Sequence, residues 1–204
     1  MNNRTLGILG LIGAPFLFID TMSNGFTITQ TTAYSGFFNL LYITGWMCSI
    51  IALYRIGAFG KGAFGKLIFI VQMSLLTLAN GWNIYEWIQP NAGTRLYFFL
   101  DAFWPISNFF MLITGITIAR LGNLKGWRRY VPLAVGCWLP LGFVLWALFT
   151  RTPGVLLTLS IYSLVMWSLM AISIITFRTN TTADNIQLAA NRRKRQPNLA
   201  TYLL

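Results

Sequence analysis

Hydrophobic residues run along this chain in six stretches, at Thr5 to Met22, Gly36 to Tyr54, Leu67 to Trp87, Leu96 to Ala119, Tyr130 to Phe149 and Gly154 to Phe177, with short polar connections between them. A bilayer core about 30 Å thick is crossed by a helix of about 20 residues rising 1.5 Å each, so every stretch is long enough to span. Within lipid a helix satisfies its own backbone hydrogen bonds, which makes helical crossings the expectation for continuous apolar runs. The pattern predicts an all-α, polytopic membrane protein: a six-transmembrane-helix bundle over residues 1–179, followed by a basic, flexible cytoplasmic tail over 180–204. No length remains for a folded soluble domain.

Composition agrees, because 56% of the residues are hydrophobic and only 9% charged, where a soluble domain carries roughly 25% charged residues. The net charge of +11 would suggest nucleic acid in a soluble protein, but the basic residues sit at span ends and in the tail, so no nucleic-acid partner is expected. Their placement sets direction. Arg4, then Arg55, Lys61 and Lys66, then Arg120, Lys125, Arg128 and Arg129, then Arg178 with Arg192, Arg193, Lys194 and Arg195 fall on one side of the six crossings, and Arg95 and Arg151 on the other. The positive-inside rule therefore puts both termini in the cytoplasm, with a bacterial inner (plasma) membrane as the expected location. Arg192, Arg193, Lys194 and Arg195 form a cationic run suited to anionic lipid headgroups, at about 1 kcal/mol per charge. The first stretch also has the form of a signal peptide, but Asp20 to Asn24 offers no small-residue cleavage site, and it is expected to be retained.

Ionisable side chains inside a membrane are costly unless paired or hydrated, so they are the first candidates for function. Asp20, Glu86 and Asp101 qualify, and with direction assigned all three belong to the outer leaflet. Gln72, Asn80, Asn83 and Glu86 recur at helical spacing and make a polar stripe on the third span; Asp101, Trp104, Pro105, Asn108 and Gly115 make one on the fourth. The connection between these spans is short, so the stripes are expected to face each other, with Arg95 in reach of Glu86 or Asp101. Trp82, Tyr85, Trp87 and Trp104 surround the acids. An acidic, aromatic-walled pocket between spans one, three and four would attract a small cation or polar molecule. The plainer reading is an interfacial aromatic belt with acids that reach water at span ends.

Other chemistry is excluded or weakened. The chain has no His, which removes the commonest general base and haem or zinc ligand, and no cofactor or metal is expected. Lys61, Lys66, Lys125 and Lys194 all lie outside the spans, so a retinal Schiff base is excluded. Cys48 and Cys137 lie in apolar spans and read as small hydrophobes. Gly60 to Lys66 reads G-x-x-x-x-G-K, yet Leu67 replaces the required Ser or Thr and no strand precedes it; the duplicated Gly-Ala-Phe-Gly-Lys that contains it, at residues 57–66, is read as a flexible basic loop against lipid headgroups. Gly7, Gly10, Gly13 and Ala14 form a small-residue face suited to close helix packing. Three functions remain: a cation- or proton-coupled transporter or ligand-binding membrane protein; a non-catalytic subunit that docks partner helices or a second copy; and a lipid-active enzyme using a carboxylate pair, the least expected since no nucleophile or metal set accompanies the acids.

Overall fold

The structure, a computed structural model, describes residues 1–26, 32–121 and 123–177. It is 81% helical, and among the described residues there is no strand. The helices are α1 (Asn3–Gly13), α2 (Phe16–Ser23), α3 (Ala33–Arg55), α4 (Ala63–Ile88), α5 (Arg95–Asp101), α6 (Phe103–Leu121), α7 (Val131–Gly136), α8 (Trp138–Phe149) and α9 (Pro153–Ile175), with a single 3-10 turn at Gly126–Arg129. Polar caps start four of them: the Asn2, Thr32, Thr94 and Thr152 side chains accept from the backbone N–H of Thr5, Ser35, Tyr97 and Val155, groups that lack a partner within the helix. Five helical units are long and apolar enough to cross a membrane, Asn3–Ser23, Ala33–Arg55, Ala63–Ile88, Arg95–Leu121 and Pro153–Ile175; the segments Gly126–Gly136 and Trp138–Phe149, bent by 49°, make a sixth if they count as one.

The breaks follow proline. A proline removes an N–H and crowds the carbonyl four residues earlier. Pro140 therefore acts at Gly136, where α7 ends, and Pro105 acts at Asp101, where α5 ends. The fifth stretch, Tyr130 to Phe149, in which Pro140 marks an expected interruption near the middle, is two helical segments joined at Cys137. At the α5/α6 break the Trp104 carbonyl accepts from the Ser107 hydroxyl at 2.8 Å and the Asn108 amide at 3.0 Å.

Between helices in lipid there is little hydrophobic driving force, so close van der Waals approach at small residues decides which faces meet. Gly13 and Gly45 bring α1 onto α3 so closely that a Cβ on Gly45 would stand 2.8 Å from the Gly13 Cα. Gly7 and Gly10 fit against Ile175, Ala171 and Ser49 of α9 and α3. Gly115 and Gly136 do the same for α6 and α7, meeting Leu133 and Leu112. In order, α1 and α2 pack on α3 and α9, α3 on α4, α4 on α6, and α6 on α7. The small-residue face of the first span is therefore used inside the chain.

The duplicated pentapeptide takes two conformations. In the first copy Gly57 and Gly60 have φ of +80° and +79°, and the tight turn between them buries Ala58 and Phe59 against Tyr54 and Phe69. In the second copy Ala63 opens α4 and Phe64 is 62% exposed. The connection is thus a packed turn held by the Asn123 amide on the Gly57 carbonyl (2.9 Å), and not the flexible loop that its composition suggests. Gly65 lies directly against the Phe59 carbonyl, so the second glycine of the phosphate-loop-like string serves packing.

Candidate functional site

Opposite the basic turns, the other end of the bundle holds the three acids. Asp20 is carried on α2, beyond the break at Ala14 and Pro15, and is buried. Its carboxylate accepts from the Asn24 amide and from the Asn39 amide of α3, both at 3.1 Å. Asn24 also bonds the Ser35 hydroxyl at 3.1 Å. This acid therefore ties α2 to the start of α3. Beside Ser35, Gly36 presses against the backbone of Asn83, Glu86 and Trp87, so the first turns of α3 stand between Asp20 and α4.

Glu86 is the most enclosed of the acids, with no exposed surface. Its Oε2 accepts the Asn91 backbone N–H at 3.2 Å, in the turn after α4, while its buried Oε1 has no hydrogen-bond partner among the described residues. Such an oxygen is expensive to bury as a bare charge. Asp101 lies exposed at the α5/α6 break, and Glu86 is the charge that acts on it. Arg95, exposed on the first turn of α5, does not occupy the open Glu86 oxygen. The short α4–α5 connection thus brings Glu86 and Asp101 to the same end of the bundle, close enough for charge on one to bear on the other.

The remaining residues of the polar stripes have defined places. Asn83 is buried and its amide donates to the Asn80 side-chain oxygen at 3.0 Å, and the Asn80 amide donates to the Thr44 hydroxyl of α3 at 3.1 Å. Below them, the Gln72 amide donates to the Ser107 carbonyl and its oxygen accepts from Thr114, each at 3.3 Å. The bonds from Asn80 to Thr44 and between Gln72 and α6 are interhelical, worth about 0.6 kcal/mol each in a membrane, and they fix α4 between α3 and α6. Trp82 meets Tyr97 at 5.6 Å between ring centroids and Tyr97 meets Tyr85 at 6.0 Å, joining the last turns of α4 to α5. The Trp82 indole N–H is buried and has no partner among the described residues. Trp104 instead turns to Trp138 of α8 at 5.2 Å, and the Asn108 amide is spent on the Trp104 carbonyl.

A second buried set was not anticipated. Tyr42 and Trp46 of α3 meet Trp167 of α9 with centroids 5.1 to 6.2 Å apart, and neither indole N–H has a partner among the described residues. The signal in the sequence was the spacing of Ser160, Ser163 and Trp167, a weakly polar stripe that an uncharged apolar run conceals. Among the described residues no three of His, Cys, Asp and Glu gather as metal ligands. Arg192, Arg193, Lys194 and Arg195 lie outside the described residues.

Apolar helices of this length, arranged around buried polar side chains, define a multi-pass membrane protein. No family model matches the chain, and no curated protein or solved structure matches it either.

Proposed function

We propose that this chain is a six-span protein of a bacterial inner membrane, with both termini cytoplasmic, that binds a proton or a small monovalent cation at Glu86 near the outer surface and passes it between that site and Asp101. Support for six crossings comes from Arg128, whose guanidinium donates to the Thr176 carbonyl and hydroxyl at 3.2 Å. That bond holds the end of α9 at the level where α7 begins; α9 is 23 residues long, about 34 Å, which supports a start at the far surface and a crossing by the bent α7–α8 pair. Direction rests on the uneven distribution of Lys and Arg.

The observation that carries the functional reading is the open, buried Oε1 of Glu86. An oxygen enclosed in this way is open to a small cation or a proton as its counterpart, because no protein donor among the described residues reaches it. Asp101, exposed at the same end of the bundle, is the natural exchange partner, and the Trp82–Tyr97 ring pair belongs to that end as well. Asp20 is occupied by Asn24 and Asn39 and serves as a fastener. The alternative of a helix-docking subunit has less support, since α3 and α9 already cover the Gly7, Gly10 and Gly13 face.

Proteoliposomes containing a trapped pH-sensitive dye test this with an imposed potassium diffusion potential. Wild-type protein is expected to admit protons, or sodium when a sodium dye replaces the first, with Glu86→Gln abolishing entry, Asp101→Asn reducing it and Asp20→Asn retaining it. Entry unchanged in Glu86→Gln, or absent from the wild type for both ions, overturns the proposal.

A further inference from the structure

A groove of about 820 Å³ runs along the bundle surface between α3 and α4 in the half that carries the basic turns. Tyr54 and Arg55 of α3 form one wall, and Phe69, Ile70, Met73 and Leu78 of α4 the other. Its size falls within the roughly 300–1,000 Å³ of small-molecule sites. At its lower end Tyr54 and Phe69 stack at 4.1 Å and 16°, a flat apolar floor locked by Phe59 behind it.

Three features choose the occupant. First, the mouth is cationic. Arg55 lines it and is exposed, with one guanidinium nitrogen on the Met1 carbonyl at 2.8 Å, which leaves other donors of the fork available. Lys66 is exposed and precedes Ile70, Met73 and Thr77 by four, seven and eleven residues, the spacing of a single helix face, so it lies on the face of α4 that lines the groove, one turn beyond the lining, within reach of a headgroup through its long side chain. Second, the groove spans Phe69 to Leu78 on α4, about 14 Å at 1.5 Å per residue, which is half of a hydrocarbon core about 30 Å thick. An acyl chain of one leaflet has that reach, whereas a partner helix would need a face running the full thickness. Third, the wall makes little demand for hydrogen bonds, since the Thr77 hydroxyl already donates to the Met73 carbonyl at 2.8 Å.

We infer that this groove binds one anionic phospholipid of the leaflet on the basic side, its phosphate held between Arg55 and Lys66 and an acyl chain lying along α4 over Met73. The site is distinct from the cationic run at Arg192 to Arg195, because both of its charges belong to α3 and α4, and it lies away from Glu86.

Electron spin resonance with chain-labelled phosphatidylglycerol and phosphatidylcholine, on the full chain in nanodiscs, measures the immobilised fraction of each lipid. Two surface cations imply a preference for phosphatidylglycerol on the order of tenfold. The double variant R55Q/K66Q, altered only at exposed positions, is expected to bring the two lipids near parity. Ser74→Trp, which fills the groove and leaves both charges, is expected to lose the immobilised chain signal. A variant with Arg192, Arg193, Lys194 and Arg195 all replaced by Gln is expected to keep the preference. Parity in the wild type, a preference that survives R55Q/K66Q, or one that disappears only with the tail charges overturns the inference. So does a cross-linked dimer through Ser74→Cys in the nanodisc, which would give the groove to a second copy of the chain.

Discussion

Asp20 and Glu86 are both buried acids near one end of the bundle, yet their partners give them opposite weights in stability. Removing the Asp20 carboxylate takes from the Asn39 amide its acceptor on α2 and unties the two helices, while Asn24 keeps the Asp20 carbonyl and the Ser35 hydroxyl; a hydrogen bond lost in this way costs about 1 kcal/mol. Glu86 has an oxygen with nothing to lose, and exchanging a buried, incompletely satisfied ionisable group for an apolar one of similar size is often neutral or stabilising. Thermal unfolding in mild detergent is expected to show Asp20→Ala melting below wild type and Glu86→Met melting at or above it. A lowered midpoint for Glu86→Met would mean that its carboxyl is a structural anchor, and would remove the signature of a residue kept for function at some cost in stability. The sequence identified all three acids because charge in an apolar run is conspicuous. It did not disclose that Asn39, on another span, would claim Asp20, since long-range pairing leaves no periodic trace.

At the level of elements, the extent of each helix was legible and its neighbours were not. The predicted Gly36 to Tyr54 and Leu67 to Trp87 lie within α3 and α4 and miss only their end turns, because an apolar run long enough to span admits few other structures. The Gly-Ala-Phe-Gly-Lys duplication shows the opposite case: ten residues of repeated sequence give a turn and then a helix start, since the first copy is pinned by Asn123 and the aromatic cluster and the second by the demand that α4 cross. Which helices touch is decided by glycines whose effect is purely local. The triplets Ile43-Thr44-Gly45 and Ile113-Thr114-Gly115 both place their glycine at a close crossing, but Gly45 meets the preceding helix α1 and Gly115 the following helix α7, an arrangement that shared packing chemistry explains without an internal duplication. Inserting bulk there is expected to be costly: Gly45→Leu pushes into the Gly13 backbone, which cannot yield as a side chain would, and overpacking of this kind costs about 1–3 kcal/mol or more. Gly154→Ala, with nothing within 4 Å of its Cβ, is the matched control and is expected to melt with the wild type. Equal midpoints for Gly45→Leu and Gly154→Ala would show that α1 does not cross α3 at this point.

For the whole molecule, the arrangement of charge and the arrangement of contacts tell one story from independent sources. Arg55 reaches the Met1 carbonyl, Asn123 reaches Gly57, and Arg128 reaches Thr176, so the chain start, the α3–α4 turn, the α6–α7 connection and the end of α9 gather at one end of the bundle. Those are the segments that carry nearly all of the Lys and Arg of the described chain. At the opposite end lie the Asn91 turn and Thr150, beside Arg151, whose guanidinium sits 4.6 Å over the Trp146 ring. The bent pair is the one place where the number of crossings could change, because a 49° bend is compatible with a re-entrant loop as well as a kinked span. Re-entry would return Thr150 to the level of Asn123 and, with α9 crossing once, carry Thr176 to the surface opposite Arg128. Single cysteines decide the matter in a background lacking Cys48 and Cys137. An impermeant maleimide on intact cells is expected to label Ala92→Cys and Thr150→Cys, and to label Asn123→Cys only after the membrane is opened. Labelling of Thr150→Cys together with Asn123→Cys would reduce the crossings to five; labelling of Asn123→Cys alone on intact cells would invert the protein and put Glu86 on the cytoplasmic side, where the proton or cation would have to enter from within the cell.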